Sequence, residues 1–283
     1  HFTDHYEILV LSIDIAVHSV KGDLTNDTTV TFWKTQIKGK RVVGMIMAPP
    51  CETWSVARFL WVEGMKNQPI PLRSRETPWG LQGLKARQYQ QLGLANKLLM
   101  IAFDFTLELM ITGGFSMIEH PSEPRHNIRA PSIWRLPQYR WLKDAKCVDH
   151  IEFFQSKHGQ VSKKPTTLLA LRLPSLAANI QKPQGLVDWP QQGLTGLGGL
   201  SEHGGWKTAQ AKEYPPSMCR AIAMSVTGAI GDMVASFGGD DFVLEHDACL
   251  DMRFMYSAFD PYLEEQQLRG HDCMLFNGVA RES

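Results

Sequence analysis

The most informative stretch is Arg41-Val-Val-Gly-Met-Ile-Met-Ala-Pro-Pro-Cys51, in which an apolar run ends in a rigid proline pair followed by a cysteine. A short apolar run bounded by such a breaker predicts a buried strand. A cysteine placed there suits a nucleophile, provided that a neighbouring group favours its thiolate. The alternative is a small buried hydrophobic residue, which is the commonest role of a free cysteine.

The segments on either side of this strand predict alternating strands and helices. That alternation is typical of an α/β protein with a parallel sheet. Gly113-Gly114 is expected to end the longest helix, since glycine commonly follows a helix C-terminus. The predicted elements are strand 6–14, helix 27–36, strand 41–47, helix 81–112, strand 115–118, strands 147–154 and 167–173, and a helix from 215 to about 234.

Three candidate site residues follow predicted strands. Asp14, Cys51 and Glu119 each stand at a strand end, and the carboxyl ends of parallel strands meet at one crevice. Glu119, fixed beside His120-Pro121, suits hydrogen bonding or proton donation to a heterocycle. A turn acid that faces water is the alternative for Glu119, and an ordinary acidic turn is the alternative for Asp14.

A third informative segment runs from Phe154 to Thr166. Lys163-Lys164 follows a turn at Gly159, and adjacent lysines placed in this way can grip a phosphate. A solvated pair of charges is the alternative. A Cys–His hydrolase is a further alternative for Cys51, and it requires His120 or His158 within hydrogen-bond reach of the thiol.

The charges of the chain are unevenly distributed although their sum is zero. Residues 231–283 carry eleven acidic and three basic side chains, and residues 1–230 carry 26 basic and 18 acidic ones. A basic body is the electrostatic pattern of a nucleic-acid partner, so the zero total does not exclude one. A solvated surface with an acidic appendage is the alternative.

Composition excludes several broad classes. Five cysteines without a CxxC pair argue against a disulfide framework or a zinc ribbon, and no His/Cys cluster has the spacing of metal ligands. No apolar run reaches the roughly 18 residues that span a bilayer, and no secretory leader opens the chain. We therefore expect an intracellular protein, nuclear or cytoplasmic, with neither a membrane nor a metal partner.

The order of these segments resembles the C5-cytosine DNA methyltransferase family. Cys51 after Pro-Pro looks like the family's nucleophile, and Glu119 looks like its contact to N3 of the target cytosine. Asp14 is similar to the acid that binds the ribose of S-adenosylmethionine, and Asp23 to the acid at the adenine edge. The segment from Gly159 to Thr166 is similar to the family's Gly-x-Pro-Gln-x-Arg-x-Arg motif.

This resemblance implies further roles. Lys164 would serve as a catalytic cation, and Pro49 would line the cofactor site. Contacts to DNA are expected from Ser55, Arg58, Lys163 and Arg125. Tyr214-Pro-Pro is similar to the opening of the family's last helix.

The fold implied is a Rossmann-like S-adenosylmethionine-dependent methyltransferase sheet with helices on both faces. The family's first strand and its Phe-x-Gly-x-Gly loop have no counterpart, so the expectation is an N-terminally truncated member. His120 replaces the usual Asn of the Glu-Asn motif. The implied organisation is a catalytic domain over 1–234, with a loop-rich, reduced target-recognition region at 175–213, and an acidic tail over 235–283.

The implied reaction is methyl transfer from S-adenosylmethionine to C5 of a flipped cytosine through a covalent adduct with Cys51. The alternative is a catalytically inactive nucleic-acid-binding or scaffold domain that keeps the fold, as in a mobile-element polyprotein.

Overall fold

Four strands form one mixed sheet in the computed structural model, which describes residues 9–61, 63, 68–183 and 212–237. The sheet order is β1-β2-β4-β3; β1 and β2 are parallel, and β4 is antiparallel to both of its neighbours. The strands are β1 Gly44–Met47, β2 Phe115–Pro121, β3 Val148–Phe154 and β4 Pro165–Leu171.

The α/β class is confirmed, but the prediction of an all-parallel sheet is wrong for β3 and β4. These strands are joined by a 3-10 turn at Gln155–His158 and a few further residues. A connection this short holds no crossover helix, so the two strands can pair only antiparallel. β1 and β2, in contrast, are separated by a long helix and lie parallel.

Five α-helices surround the sheet in the described part of the chain. Three were predicted, with bounds that differ by a few residues. The two short helices, α3 and α4, were not predicted, and α4 lies inside the region predicted to be loop-rich. The helices are α1 Asp27–Lys38, α2 Ala86–Thr112, α3 Pro137–Lys143, α4 Leu176–Gln181 and α5 Pro216–Phe237.

Helices pack on both faces of the sheet, and β2 separates the two layers. Ser116 Oγ donates a 3.3 Å hydrogen bond to Thr106 Oγ1 of α2. Phe115 and Met117 instead belong to a core cluster with Met218 of α5. Because side chains alternate along a strand, Glu119 lies on the α5 face of the sheet, like Phe115 and Met117. His120 lies on the α2 face, like Ser116.

The strand predicted over 6–14 is wrong for residues 9–14, which have no strand structure, and residues 6–8 lie outside the described part of the chain. Leu9, Val10 and Leu11 are all more than half exposed. An apolar run forms a strand only where another strand takes its backbone hydrogen bonds, and β1 pairs only with β2 within the described residues. Asp14 therefore lies in an exposed turn.

Helix α5 corrects the expectation that no apolar run in the chain is long enough to span a bilayer. Residues Pro216–Ser236 are long and apolar enough to cross a membrane by length and composition, with a mean hydropathy of 1.2. One face of the helix packs in the core through Met218, Ala221 and Val226. A core helix passes the same test, so the expectation of no membrane partner stays a prediction.

Several sequence predictions concern residues outside the described ranges. Contacts divide the chain into residues 1–242 and 243–283, and all described residues belong to the first part. Most of the region 175–213 and nearly all of the acidic tail at 235–283 fall outside the description. The predicted boundary near 234 stays a prediction.

Gly44 offers a test of the pairing between β1 and β2. A Cβ at Gly44 would lie 2.1 Å from the ring of Phe115, its partner in the ladder. We expect Gly44→Ala to lower the free energy of unfolding by about 1–3 kcal/mol, measured by urea denaturation. Gly93→Ala, at an open position in α2, is the matched control and should leave stability unchanged or raised. Equal effects of the two substitutions would contradict this packing.

Candidate active site

Cys51 and Glu119 lie together at the carboxyl end of the parallel strand pair. The register pairs Met47 with Ile118, so Glu119 lies one residue beyond the last paired position, within β2. Cys51 follows β1 after the Pro-Pro bend, and its thiol is half-buried. The Glu119 side chain is buried, and its charge acts directly on the thiol. The predicted convergence of these two residues is therefore present in the structure.

The thiol of Cys51 is held mainly in its protonated form. Burial raises the pKa of Cys51 to about 11, and the carboxylates of Glu119 and Glu52 add to this effect. The ammonium of Lys164 acts in the opposite direction and lowers the pKa of the thiol. The site thus contains a thiol whose ionisation depends on the balance of three neighbouring charges.

Glu119 is also biased toward its neutral form. Burial raises the pKa of this carboxyl, while Lys164 and the Tyr214 hydroxyl beside it lower the pKa. The Tyr214 hydroxyl is buried, and its contact with the carboxyl falls short of hydrogen-bond geometry. The pKa of Tyr214 is raised far above its usual range by burial and by Glu119, so the phenol remains neutral.

Lys164 reaches the site from a strained turn before β4. Its backbone adopts a left-handed conformation with φ of 34°. Its carbonyl accepts two hydrogen bonds, at 3.2 Å from the backbone N–H of Gln155 and at 3.2 Å from Thr166 Oγ1. Such a conformation persists in a non-glycine residue only where its surroundings enforce it. The ammonium lies 5.5 Å from the centre of the Tyr214 ring.

The segment before α5 lies against the loop that carries Cys51. Lys212 Nζ and Glu52 Oε1 form an ion pair at 2.8 Å, and Gln160 Nε2 donates to the carbonyl of Glu213 at 3.1 Å. These two contacts hold the two residues that precede Tyr214, whose hydroxyl lies beside Glu119. Both members of the ion pair are substantially exposed, so this contact contributes position more than stability.

A buried arginine supports the loop that follows Cys51. Arg73 is fully buried and donates to Thr53 Oγ1 at 2.8 and 3.0 Å and to Asn96 Oδ1 at 2.6 Å. Its guanidinium lies 4.0 Å from the centre of the Trp54 ring. Since the fork of donors reaches both the loop and α2, Arg73 fixes the loop relative to the helix.

The two histidines of the hydrolase alternative have other surroundings. His120 is buried between the rings of Trp54 and Trp134, and burial lowers its pKa to about 3. His158 contacts Ser217 Oγ and the carbonyl of Ile180. None of these contacts involves Cys51, so the structure gives the hydrolase alternative no support.

The predicted cofactor residues lie in turns. Asp14 Oδ1 accepts the backbone N–H of Ala16 at 2.7 Å in an exposed turn. Asp23 Oδ1 accepts both the N–H and the hydroxyl of Thr25. Pro49 is buried in the bend between β1 and Cys51. Local hydrogen bonds therefore engage both acids, and neither follows a strand.

The predicted DNA contacts differ in their freedom to bind a phosphate. Ser55 Oγ caps a short 3-10 turn by accepting the N–H of Ala57. Arg58 donates to the carbonyls of Glu52 and Ile70, and Arg125 pairs with Glu152 at 2.9 Å. Arg58 is thus committed to loop structure. Lys163 is exposed beside the site.

Sequence reasoning missed three residues next to the central pair, namely Tyr214, Gln155 and Thr166. Each one stood within a segment that the sequence singled out, either before Pro215-Pro216 or between Phe154 and Thr166. Their side chains carry no charge at neutral pH, so no charge pattern marked them. Among the described residues, no group of three or more His, Cys, Asp and Glu side chains is arranged to hold a metal.

No protein-family model, curated protein or solved structure matches this chain.

The balance of charges around Cys51 predicts how fast the thiol reacts. Glu119→Gln removes a charge that raises the pKa of Cys51, so alkylation by iodoacetamide at pH 8.5 should become about tenfold faster. Lys164→Met removes the charge that lowers that pKa and should slow the reaction. The rate is measured on the Cys51 peptide by mass spectrometry.

Glu108→Gln is the matched control for this experiment. Glu108 pairs with Lys34 and Lys38 and is not among the charges that act on Cys51. Its substitution should leave the alkylation rate at the wild-type value. A Glu119→Gln variant that reacts no faster than this control would contradict the electrostatic contact between Cys51 and Glu119.

The position of the Tyr214 hydroxyl beside Glu119 predicts a second change in pKa. The Tyr214 hydroxyl lowers the pKa of Glu119, so Tyr214→Phe should raise that pKa. The shift is measured by NMR on ¹³C-labelled glutamate carboxyls, with the resonance assigned through Glu119→Gln. Tyr139→Phe removes a buried hydroxyl that does not act on Glu119 and serves as the control. An unchanged Glu119 pKa in Tyr214→Phe would refute the contact.

Proposed function

We propose that this chain is a divergent domain of the cytosine-C5 methyltransferase type, in which Cys51 attacks a pyrimidine base. The observation that supports this proposal best is the convergence of the Cys51 thiol, the Glu119 carboxyl and the Lys164 ammonium at the end of two parallel strands. A nucleophile beside a proton-bearing acid is the arrangement that addition to a heterocycle needs.

The attack step uses each of these groups. The Cys51 thiolate forms a bond to C6 of the base, and the electron pair of the C5–C6 double bond shifts to C5 and, through C4, to N3. Protonated Glu119 hydrogen-bonds N3 and stabilises the charge that develops there. C5 then takes a proton from solvent. Loss of the original C5 proton and departure of the thiolate restore the base, so each cycle exchanges one hydrogen at C5.

The raised pKa of the carboxyl suits this role, because a carboxyl must carry a proton to donate to N3. Lys164 contributes by favouring the thiolate. The reactive form, a thiolate beside a neutral carboxyl, has the same number of protons as a thiol beside a carboxylate. We therefore expect it to be most populated between the pKa of Glu119 and that of Cys51.

A complete methyltransferase also needs a methyl donor, and the resemblance implies S-adenosylmethionine. Asp14 and Asp23 would hold its ribose and adenine, yet both carboxylates are engaged in their own turns, and the described residues before Asp14, 9–13, form no strand. The described residues therefore fit the base-binding half of such an enzyme and do not fit the cofactor half. Methyl transfer by this chain stays a prediction.

One observation favours a second candidate function. A thiol with a pKa of about 11 is almost entirely protonated at neutral pH. A domain that binds a base or a nucleic acid without attacking it is consistent with such a thiol. The two functions differ in whether bound DNA exchanges its C5 hydrogen.

Hydrogen exchange tests attack without a methyl donor. We expect the protein to release tritium from [5-³H]cytosine in DNA. Cys51→Ser should abolish this release, and Cys219→Ser, at an exposed position on α5, should not. The rate should fall as the pH drops through the raised pKa of Glu119 and stay level above it until the pH approaches 11. DNA binding without release of tritium would favour the second function.

A further inference from the structure

Two uncharged side chains behind the reacting groups form a chain of hydrogen bonds. Gln155 and Thr166 are both fully buried on the α5 side of the sheet. Gln155 Nε2 donates to Thr166 Oγ1 at 3.0 Å and approaches Glu119 Oε1 at 3.5 Å. Thr166 Oγ1 in turn donates to the carbonyl of Lys164 at 3.2 Å. These hydrogen bonds thus connect the Glu119 carboxyl with the backbone carbonyl of Lys164.

The count of hydrogens fixes the orientation of the amide. A threonine hydroxyl carries one hydrogen, and here the hydrogen goes to the carbonyl of Lys164. Thr166 Oγ1 must therefore accept from Gln155, so the amide nitrogen has to face it. The second hydrogen of that nitrogen is directed at Glu119 Oε1.

We propose that Gln155, oriented by Thr166, is a positioning residue that keeps Glu119 Oε1 as an acceptor and so directs the proton of the carboxyl to Oε2. The same chain holds the carbonyl of Lys164, which is in the left-handed turn that carries the ammonium. One pair of buried polar side chains thereby orients the acid and holds the backbone from which the Lys164 side chain extends. This role deepens the proposed function, because the proton concerned is the one that Glu119 presents to N3.

The buried Gln155 carbonyl shows that this orientation is imposed. Gln155 Oε1 has no hydrogen-bond partner within the described residues. A free amide would rotate to satisfy a buried acceptor, since an unmade hydrogen bond is costly. The single hydrogen of Thr166 prevents that rotation.

Thr166 is the position that tests the proposal. Thr166→Val keeps the size of the side chain and removes the hydroxyl, so the amide can turn its oxygen toward Glu119. An oxygen there favours the protonated carboxyl, and we expect the pKa of Glu119 to rise, measured by ¹³C NMR. Exchange of the C5 hydrogen should slow by roughly 10- to 100-fold in kcat, with KM changed far less. Thr166→Ser restores the hydroxyl and should restore both values.

Gln155→Glu provides an independent second variant. It keeps the shape of the side chain but places a carboxylate beside Glu119, so it should raise the pKa of Glu119 further than Thr166→Val does. Through the altered charges around the thiol, it should also change the alkylation rate of Cys51. The pKa of Glu119 and the alkylation rate of Cys51 can both be measured on a protein that does not exchange hydrogen at C5. Urea denaturation of each variant shows whether it is folded.

The outcomes separate this proposal from the proposed function. An unchanged Glu119 pKa in folded Thr166→Val, or equal values in the Val and Ser variants, overturns the positioning role even if the wild-type protein exchanges hydrogen. A raised pKa in Thr166→Val that Thr166→Ser reverses supports the role even if no variant exchanges hydrogen. In that last case the proposed function is refuted, but the positioning role of Gln155 and Thr166 is supported.

Discussion

The parallel pairing of β1 with β2 is the constraint on which the candidate site depends. This pairing sets Met47 opposite Ile118, so the bend that carries Cys51 begins beside Glu119, at the carboxyl end of the parallel pair. The close approach of the two strands needs a residue without a side chain at Gly44, where the Phe115 ring fills the space. A slip of one residue would turn Glu119 to the α2 face, among the rings of Trp54 and Trp134, and would separate it from the thiol.

Burial then gives this juxtaposition its chemistry. In water, a carboxylate would influence a nearby thiol weakly, but at this buried sheet edge the charge of Glu119 raises the pKa of Cys51. Lys164 and Tyr214 oppose the effect of burial on Glu119, and Lys164 does so on Cys51. Between the pKa of Glu119 and that of Cys51, the thiol and the carboxyl therefore share one proton. That arrangement supports proton-coupled addition to a base better than a permanently ionised thiolate would.

Much of this arrangement could be predicted from local sequence. The apolar run before Pro49-Pro50 and the glycine pair after α2 placed β1, α2 and β2 correctly, because strand and helix ends have local chemical signals. The antiparallel β3–β4 pair was missed, since pairing direction depends on the length of the connection and on distant partners. Tyr214 and Gln155 were missed because their importance comes from neighbours 95 and 36 positions away at Glu119. The strand predicted over 6–14 is wrong for residues 9–14, because an apolar run forms a strand only if a partner strand is present.

The central claim is that the Cys51 thiol forms a covalent bond to C6 of a pyrimidine. The most direct measurement is the intact mass of the protein after incubation with DNA that carries 5-azacytosine, whose ring nitrogen at position 5 makes C6 more electrophilic. We expect one adduct per chain, mapped by peptide mass spectrometry to Cys51 and absent from Cys51→Ser. No adduct on DNA that the protein binds, or an adduct at Cys147 or Cys219 instead, would show that Cys51 does not attack the base.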